Sequence, residues 1–207
     1  MKKIIAVLTC FLMMGSIFSV SNTKAGNYTF NDLEEYSPFY QEIMYLADKH
    51  IVLGVRGSFY PQEGVTRAGA ATMIGRALLL DGTKRESSFS DVGSQSYASG
   101  YIESAVDMGI IKGYTDGTFR PDEIVSRGEM SIFLARAFNL EAEMELGSDY
   151  NDIHPSMASY EAIVKVSEAG VARGFIGGFF RPDQDITRAQ FSAFLARALN
   201  AGFRVDN

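Results

Sequence analysis

Three times in this 207-residue chain an arginine directly follows a hydroxyl residue where an apolar helical pattern begins: Thr66-Arg67, Ser126-Arg127 and Thr187-Arg188. A hydroxyl at a helix N-cap accepts a hydrogen bond from a first-turn amide, which accounts for the Thr and Ser. Ser126-Arg127-Gly128-Glu129 and Thr187-Arg188-Ala189-Gln190 extend this to a capping box. Thr66-Arg67-Ala68-Gly69 keeps the cap without the reciprocal side chain. The cap does not explain the arginine. A cation at the first helical position faces the positive end of the helix dipole, at a cost of roughly 0.3–1 kcal/mol. Three such placements call for a compensating anion, and two sources are open. One is a structural carboxylate, for which Asp32, Asp91 and Asp152 are available. The other is an exogenous anion held by the guanidinium fork together with the helix-end amides. A second arginine nine residues on (Arg76, Arg136, Arg197) points to the opposite helix side and reads as solvated or salt-bridged.

Catalysis is disfavoured by the same pattern. The acids recur with the scaffold, whereas a glycosidase-like carboxyl pair, set roughly 5–10 Å apart, would break the repeat. His50 and His154 sit in unrelated contexts, and no Ser-His-Asp order stands out. A calcium loop fails around Asp116-Gly117. With Gly117 as its sixth position, the first and third are Lys112 and Tyr114 rather than carboxylates. The expectation is a non-enzyme with neither metal nor cofactor.

The elements that must carry these arginines repeat too. Phe59-Tyr60-Pro61, Phe119-Arg120-Pro121 and Phe180-Arg181-Pro182 precede the three helix starts, and the arginines are 60 and 61 residues apart. A fixed period of this length means a repeat architecture, and a threefold-repeated surface suits binding. Each unit reads as helix, turn, short extended piece, helix. In the middle unit Ile102, Ala105 and Val106 keep helical spacing, and Gly109 sits where a left-handed C-terminal cap belongs. Asp116-Gly117 marks a turn, and Pro121 keeps Arg120 out of a helix. The second helices carry stripes: Ala70, Met73, Ile74, Ala77, Leu78; then Met130, Phe133, Leu134, Ala137, Phe138; then Phe191, Phe194, Leu195, Ala198, Leu199. A short unit cannot bury such a stripe alone, so three stripes are expected to share one core. The polar stretches 82–88 and 141–148 connect the units, giving boundaries of 26–82, 83–145 and 146–207.

Residues 1–25 read as a secretory signal: Lys2-Lys3, an apolar run from Ile4 to Val20, then Thr23-Lys24-Ala25 before cleavage. An uncleaved anchor is the alternative, since a run of about 17 is near the lower spanning limit. Cys10 lies inside the apolar run, which argues against lipidation, and the chain after it has no cysteine for a disulfide or thiolate chemistry. Setting aside Lys2, Lys3 and Lys24 leaves 16 basic against 25 acidic side chains. That balance argues against nucleic acid and repels acidic polymers at long range, so local cations must do any polyanion binding.

The run Gly109-Ile110-Ile111-Lys112-Gly113-Tyr114-Thr115-Asp116-Gly117-Thr118-Phe119-Arg120-Pro121, the opening Phe89-Ser90-Asp91 and the Thr-Arg-Ala helix start resemble S-layer homology repeats, over about residues 27–200. The resemblance implies an all-α fold, three helix-loop-helix repeats in a pseudo-three-fold spindle around a shared helical core. It implies non-covalent attachment to a secondary cell-wall polymer or peptidoglycan-linked glycan on a bacterial surface. In Gram-positive relatives the polymer ends in a pyruvate ketal on N-acetylmannosamine, whose carboxylate meets the motif arginine. By that resemblance Arg67, Arg127 and Arg188 become the favoured ligand residues, with Lys112, Gly113, Arg173, Gly174 and the aromatic Tyr97 beside them. Unit one departs most. It has His50 for Gly109 and Gly170, Leu53 for Lys112 and Arg173, no Glu at position 69, and a turn one residue shorter. Family units often carry Trp near the start of the first helix. The matching places here hold Pro38, Tyr97 and Ala158, so the expected ranking of sites is two, three, one. The competing expectation is an exported protein-interaction partner of a surface layer, or a remnant of a longer wall protein, since no effector domain follows the third unit. A monomer is expected.

Overall fold

The computed structural model describes residues 29–142 and 150–205; the signal-like leader with Cys10, and most of the connection between units two and three, lie outside them. The described residues form six α-helices and a terminal 3₁₀ turn at Ala201–Phe203, with isolated bridges but no strand. The all-α expectation holds. Each unit supplies two helices: α1 (Tyr40–Asp48) and α2 (Arg67–Ala77), α3 (Ser99–Asp107) and α4 (Arg127–Ala137), α5 (Tyr160–Glu168) and α6 (Arg188–Leu199). None is long and apolar enough to cross a membrane.

The helix ends form as their sequences dictate. Thr66, Ser126 and Thr187 cap α2, α4 and α6, and the reciprocal Glu129 and Gln190 bonds complete boxes on the last two. Gly109 and Gly170 take left-handed φ values of 69° and 66° after α3 and α5. His50 adopts φ 57° in the same role after α1, so unit one keeps the turn and bears the strain of a side chain there. Tyr60, Arg120 and Arg181, each before its proline, share φ values of 57–61°.

The units are interleaved rather than strung out. Each second helix packs on the first helix of the next unit, α2 on α3 and α4 on α5, and α6 returns to α1. Three short extended segments close the same circuit. The Val65 amide donates to the Ile186 carbonyl (3.1 Å), Ile186 to Val125 (3.0 Å), and Val125 back to Val65 (2.8 Å). All three side chains are buried, as are Met73, Ile74, Met130, Leu134, Phe191 and Leu195 from the helical stripes. A cycle of this kind leaves no repeat that could bury its stripe alone, so the units form one cooperative core.

Around it stand three fully buried phenylalanines, Phe59, Phe119 and Phe180, each against a unit-opening ring: Phe30 at 5.4 Å, Phe89 at 5.4 Å and Tyr150 at 5.3 Å. Those rings lie directly over Gly54, Gly113 and Gly174, where a Cβ would collide with them.

Candidate functional site

Each motif arginine reaches out of its own unit. Arg67 donates from Nε to the Phe119 carbonyl and from Nη2 to that of Lys112, both at 2.8 Å. Arg127 makes the same pair to Phe180 (2.9 Å) and Arg173 (3.1 Å), and Arg188 to Phe59 (2.9 Å) and Leu53 (3.2 Å). The guanidinium is therefore a fork across a seam between units, filling two main-chain acceptors that helix packing would otherwise strand.

The three aspartates play a different part from the one expected of them. Asp32 accepts from the Phe59 and Tyr60 amides, Asp91 from Phe119 and Arg120, and Asp152 from Phe180 and Arg181, at 2.6–2.7 Å. Aspartate and arginine thus grip opposite ends of the same phenylalanine residue without touching each other. Partial burial pushes the Asp32 carboxyl up, but backbone donors and the Arg188 charge outweigh this and hold it below its ordinary range.

The helix-end amides are also spoken for. The first amides of α2, α4 and α6 donate to the Glu123, Gln184 and Glu63 carbonyls at 2.8–2.9 Å. The second donate to Pro121, Pro182 and Pro61 at 2.8–3.0 Å. The third go to the cap hydroxyls. An anion held partly by these amides, as the sequence suggested, has no donor there; any anion must meet the guanidinium alone.

The candidate residues assemble across units, not within them. Arg67 of unit one sits with Lys112 and Gly113 of unit two, and Arg127 of unit two with Arg173 and Gly174 of unit three. Arg188 of unit three sits on the unit-one loop, with Tyr97 of unit two within electrostatic reach. Arg127 therefore contacts the Arg173 loop of unit three, and Lys112 of its own unit receives Arg67. The reason is geometric: a helix start projects away from the loop that precedes it and onto the next unit's loop. Lys112 and Arg173 contribute carbonyls to the seams, while Gly113 and Gly174 provide clearance for Phe89 and Tyr150.

Surface exposure differs between the seams. Arg67 is 3% exposed and Arg127 2%, whereas Arg188 is half-buried. Desolvation lowers the Arg127 pKa to about 10, which keeps it charged at neutral pH, and shifts the Arg188 pKa in the same direction. Of the second arginines, Arg197 is the buried one, paired with Glu42 at 3.1 Å between α6 and α1.

Together these features define an all-helical repeat module whose units are joined by arginine forks at their seams. The S-layer homology domain model matches residues 29–71, 88–131 and 149–192, more than half of the chain. The chain belongs to the S-layer homology domain family and carries three tandem copies. It is similar to cell surface glycoprotein 1 of Acetivibrio thermocellus (31% identity over 158 residues; 70% of this chain, 7% of that protein). It is similar also to the cellulosome-anchoring protein of the same organism (30% over 158 residues; 70% and 34%) and to an endoglucanase of a Bacillus species (28% over 152 residues; 72% and 16%). The chain spans about a third or less of the length of these relatives.

Proposed function

We propose that this chain is a non-catalytic binding module that holds its protein at the bacterial cell surface through non-covalent attachment to wall polysaccharide. An anionic secondary wall polymer is the partner this reading favours, its carboxylate meeting a seam arginine. The observation that carries the proposal is the threefold recurrence of a charged guanidinium fork at seams between S-layer homology units. Similarity to a surface glycoprotein and to an anchoring protein supports it. So does the similarity to an endoglucanase, of which the shared part is a minor fraction, as suits an attachment module separate from a catalytic one. A local cation is what the acidic overall charge requires, because at distances beyond about 8–10 Å salt screens the field and only the contact remains.

The test is co-sedimentation of the purified protein with cell walls of its source, before and after mild acid removes the secondary polymer. Sedimentation that disappears on stripping is expected. Equal sedimentation with both walls would move the partner to the peptidoglycan itself, and none with either would sink the wall reading in favour of a protein partner.

A further inference from the structure

The three seams share a fork but not a cover. Over Arg67 lie Tyr114, Phe119 and Phe133, with centroids 4.9, 4.8 and 5.8 Å from Cζ. Over Arg127 lie Phe175, Phe180 and Phe194 at 4.8, 4.7 and 5.3 Å. Arg188 has Phe59 alone, at 4.8 Å. The positions matching the missing rings are occupied by Val55 and Met73.

The first ring of each cage is a lid held from outside. Arg120 stacks on Tyr114 at 3.7 Å and Arg181 on Phe175 at 4.1 Å, so each lid is pressed between two guanidinium groups. The Tyr114 hydroxyl is further tied to Glu123 (2.9 Å), and Arg120 to Asp116 (3.2 Å). At the third seam the clamp position is Tyr60, which has no cation to offer. Tyr60 is 37% exposed, Val55 59% and Leu53 44%.

A second difference runs the same way. Glu129, the third residue of α4, places Oε1 3.4 Å from Arg67 Nη1, an internal carboxylate where an incoming one would bind. The matching residue facing Arg127 is the neutral Gln190. The position matching it for Arg188 is Gly69, which offers no side chain; Glu63 and Asp32 act on that guanidinium through space, and neither forms an ion pair with it.

We propose that the clamped rings Tyr114 and Phe175 close two seams, and that the Arg188 seam, under Val55 and Tyr60, is the single carboxylate-binding seam of this chain. Its ligand is an anionic sugar whose carboxylate meets Arg188 and whose apolar face meets exposed Tyr60 and Tyr97. This rests on the wall-polysaccharide reading and reverses the ranking that unit-by-unit inspection suggests. The unit that looked least equipped supplies the open loop, and the arginine comes from its neighbour.

Two measurements separate the parts. Phenylglyoxal labelling, followed peptide by peptide, reads guanidinium access without any ligand. Arg188 should react at least tenfold faster than Arg67 and Arg127. Tyr114→Ala should release Arg67, and grafting the clamp as Val55→Tyr with Tyr60→Arg should protect Arg188. Tyr60 and Arg120 already share φ near 60°, so the graft asks no new backbone conformation. In the second measurement, binding of these variants to unstripped walls is compared at matched melting temperatures. The graft should weaken retention tenfold or more, whereas Tyr114→Ala should not weaken it.

Equal labelling of the three arginines overturns the lids. Undiminished wall binding by the graft overturns the single-seam assignment even if labelling agrees. Failure of the wild-type protein to bind walls, with the labelling contrast intact, overturns the wall reading while the lids stand.

Discussion

Arg127→Ala should be far more damaging to the fold than Arg188→Ala, although both remove the same motif residue. The Arg127 guanidinium is 2% exposed, bonded to two carbonyls and enclosed by three rings. Truncation strands the carbonyl of fully buried Phe180 and takes the donor from the part-buried Arg173 carbonyl, at ~1–3 kcal/mol each. Loss of the ring contacts adds ~0.5–1 kcal/mol apiece. Relief from burying a cation offsets part of this, leaving a net loss of about 3–5 kcal/mol, typical of breaking a buried charged group. At about 2–4 °C per kcal/mol for a domain of this size, the melting temperature should fall by roughly 6–20 °C. Arg188 is half-buried under one ring; solvent can take over the carbonyl of exposed Leu53 but not that of buried Phe59, so about 1–3 kcal/mol and a fall of roughly 2–12 °C follow. Arg127→Lys should recover little, because an ammonium cannot span both acceptors as a fork does. The assay is thermal unfolding by circular dichroism of the four proteins at one concentration. Equal shifts for Arg127→Ala and Arg188→Ala would refute the claim that burial, not motif identity, sets the role of each arginine. A loss of wall binding in Arg127→Ala therefore has to be read against its folding.

Gly69→Gln should stabilise the protein by about 1 kcal/mol, as helix propensity improves and α2 gains the reciprocal cap of the other two helices. A Cβ there meets Thr66 Oγ1 at 3.2 Å, so the cap hydroxyl must yield by a few tenths of an ångström, and an unchanged or lowered melting temperature would show that the cap does not form. Gly113→Ala should destabilise by about 1–3 kcal/mol, because the added carbon runs into the Phe89 ring, itself packed on fully buried Phe119. Urea unfolding of this variant would expose an error if its midpoint matched the wild type. Stability should also fall on acidification. The Asp32 pKa is depressed in the folded state, so its contribution is complete above the ordinary carboxylate range and is lost as pH drops through the lower folded value. Asp32→Asn should flatten the acid limb of a stability–pH profile, and an unaltered limb would count against the carboxylate's role.

The expected helices, caps and shared core were legible because each rests on local chemistry. Ser126 and Glu129 lie three residues apart, and Met130, Phe133 and Leu134 fall on one helical face whatever surrounds them. The roles of the aspartates were not legible, since Asp91 meets the Phe119 and Arg120 amides only after the chain doubles back 28 and 29 residues later. Nor was the assembly of the seams. The offset between a helix start and the loop it reaches is a property of packing, and Arg188 and Leu53 are 135 residues apart.

The sequence by itself determined three copies of one helical unit, with a cation at the same place in each. A 60-residue period and a capping motif are readable along the chain, since their physics acts over a few residues. Only the tertiary structure decided what each cation does. Desolvation, cation–π contact and ion pairing depend on which side chains of the next unit stand over the guanidinium. Tyr114 and Phe175 cover two arginines, Val55 puts no ring over the third, and that difference exists only once the third unit has closed on the first.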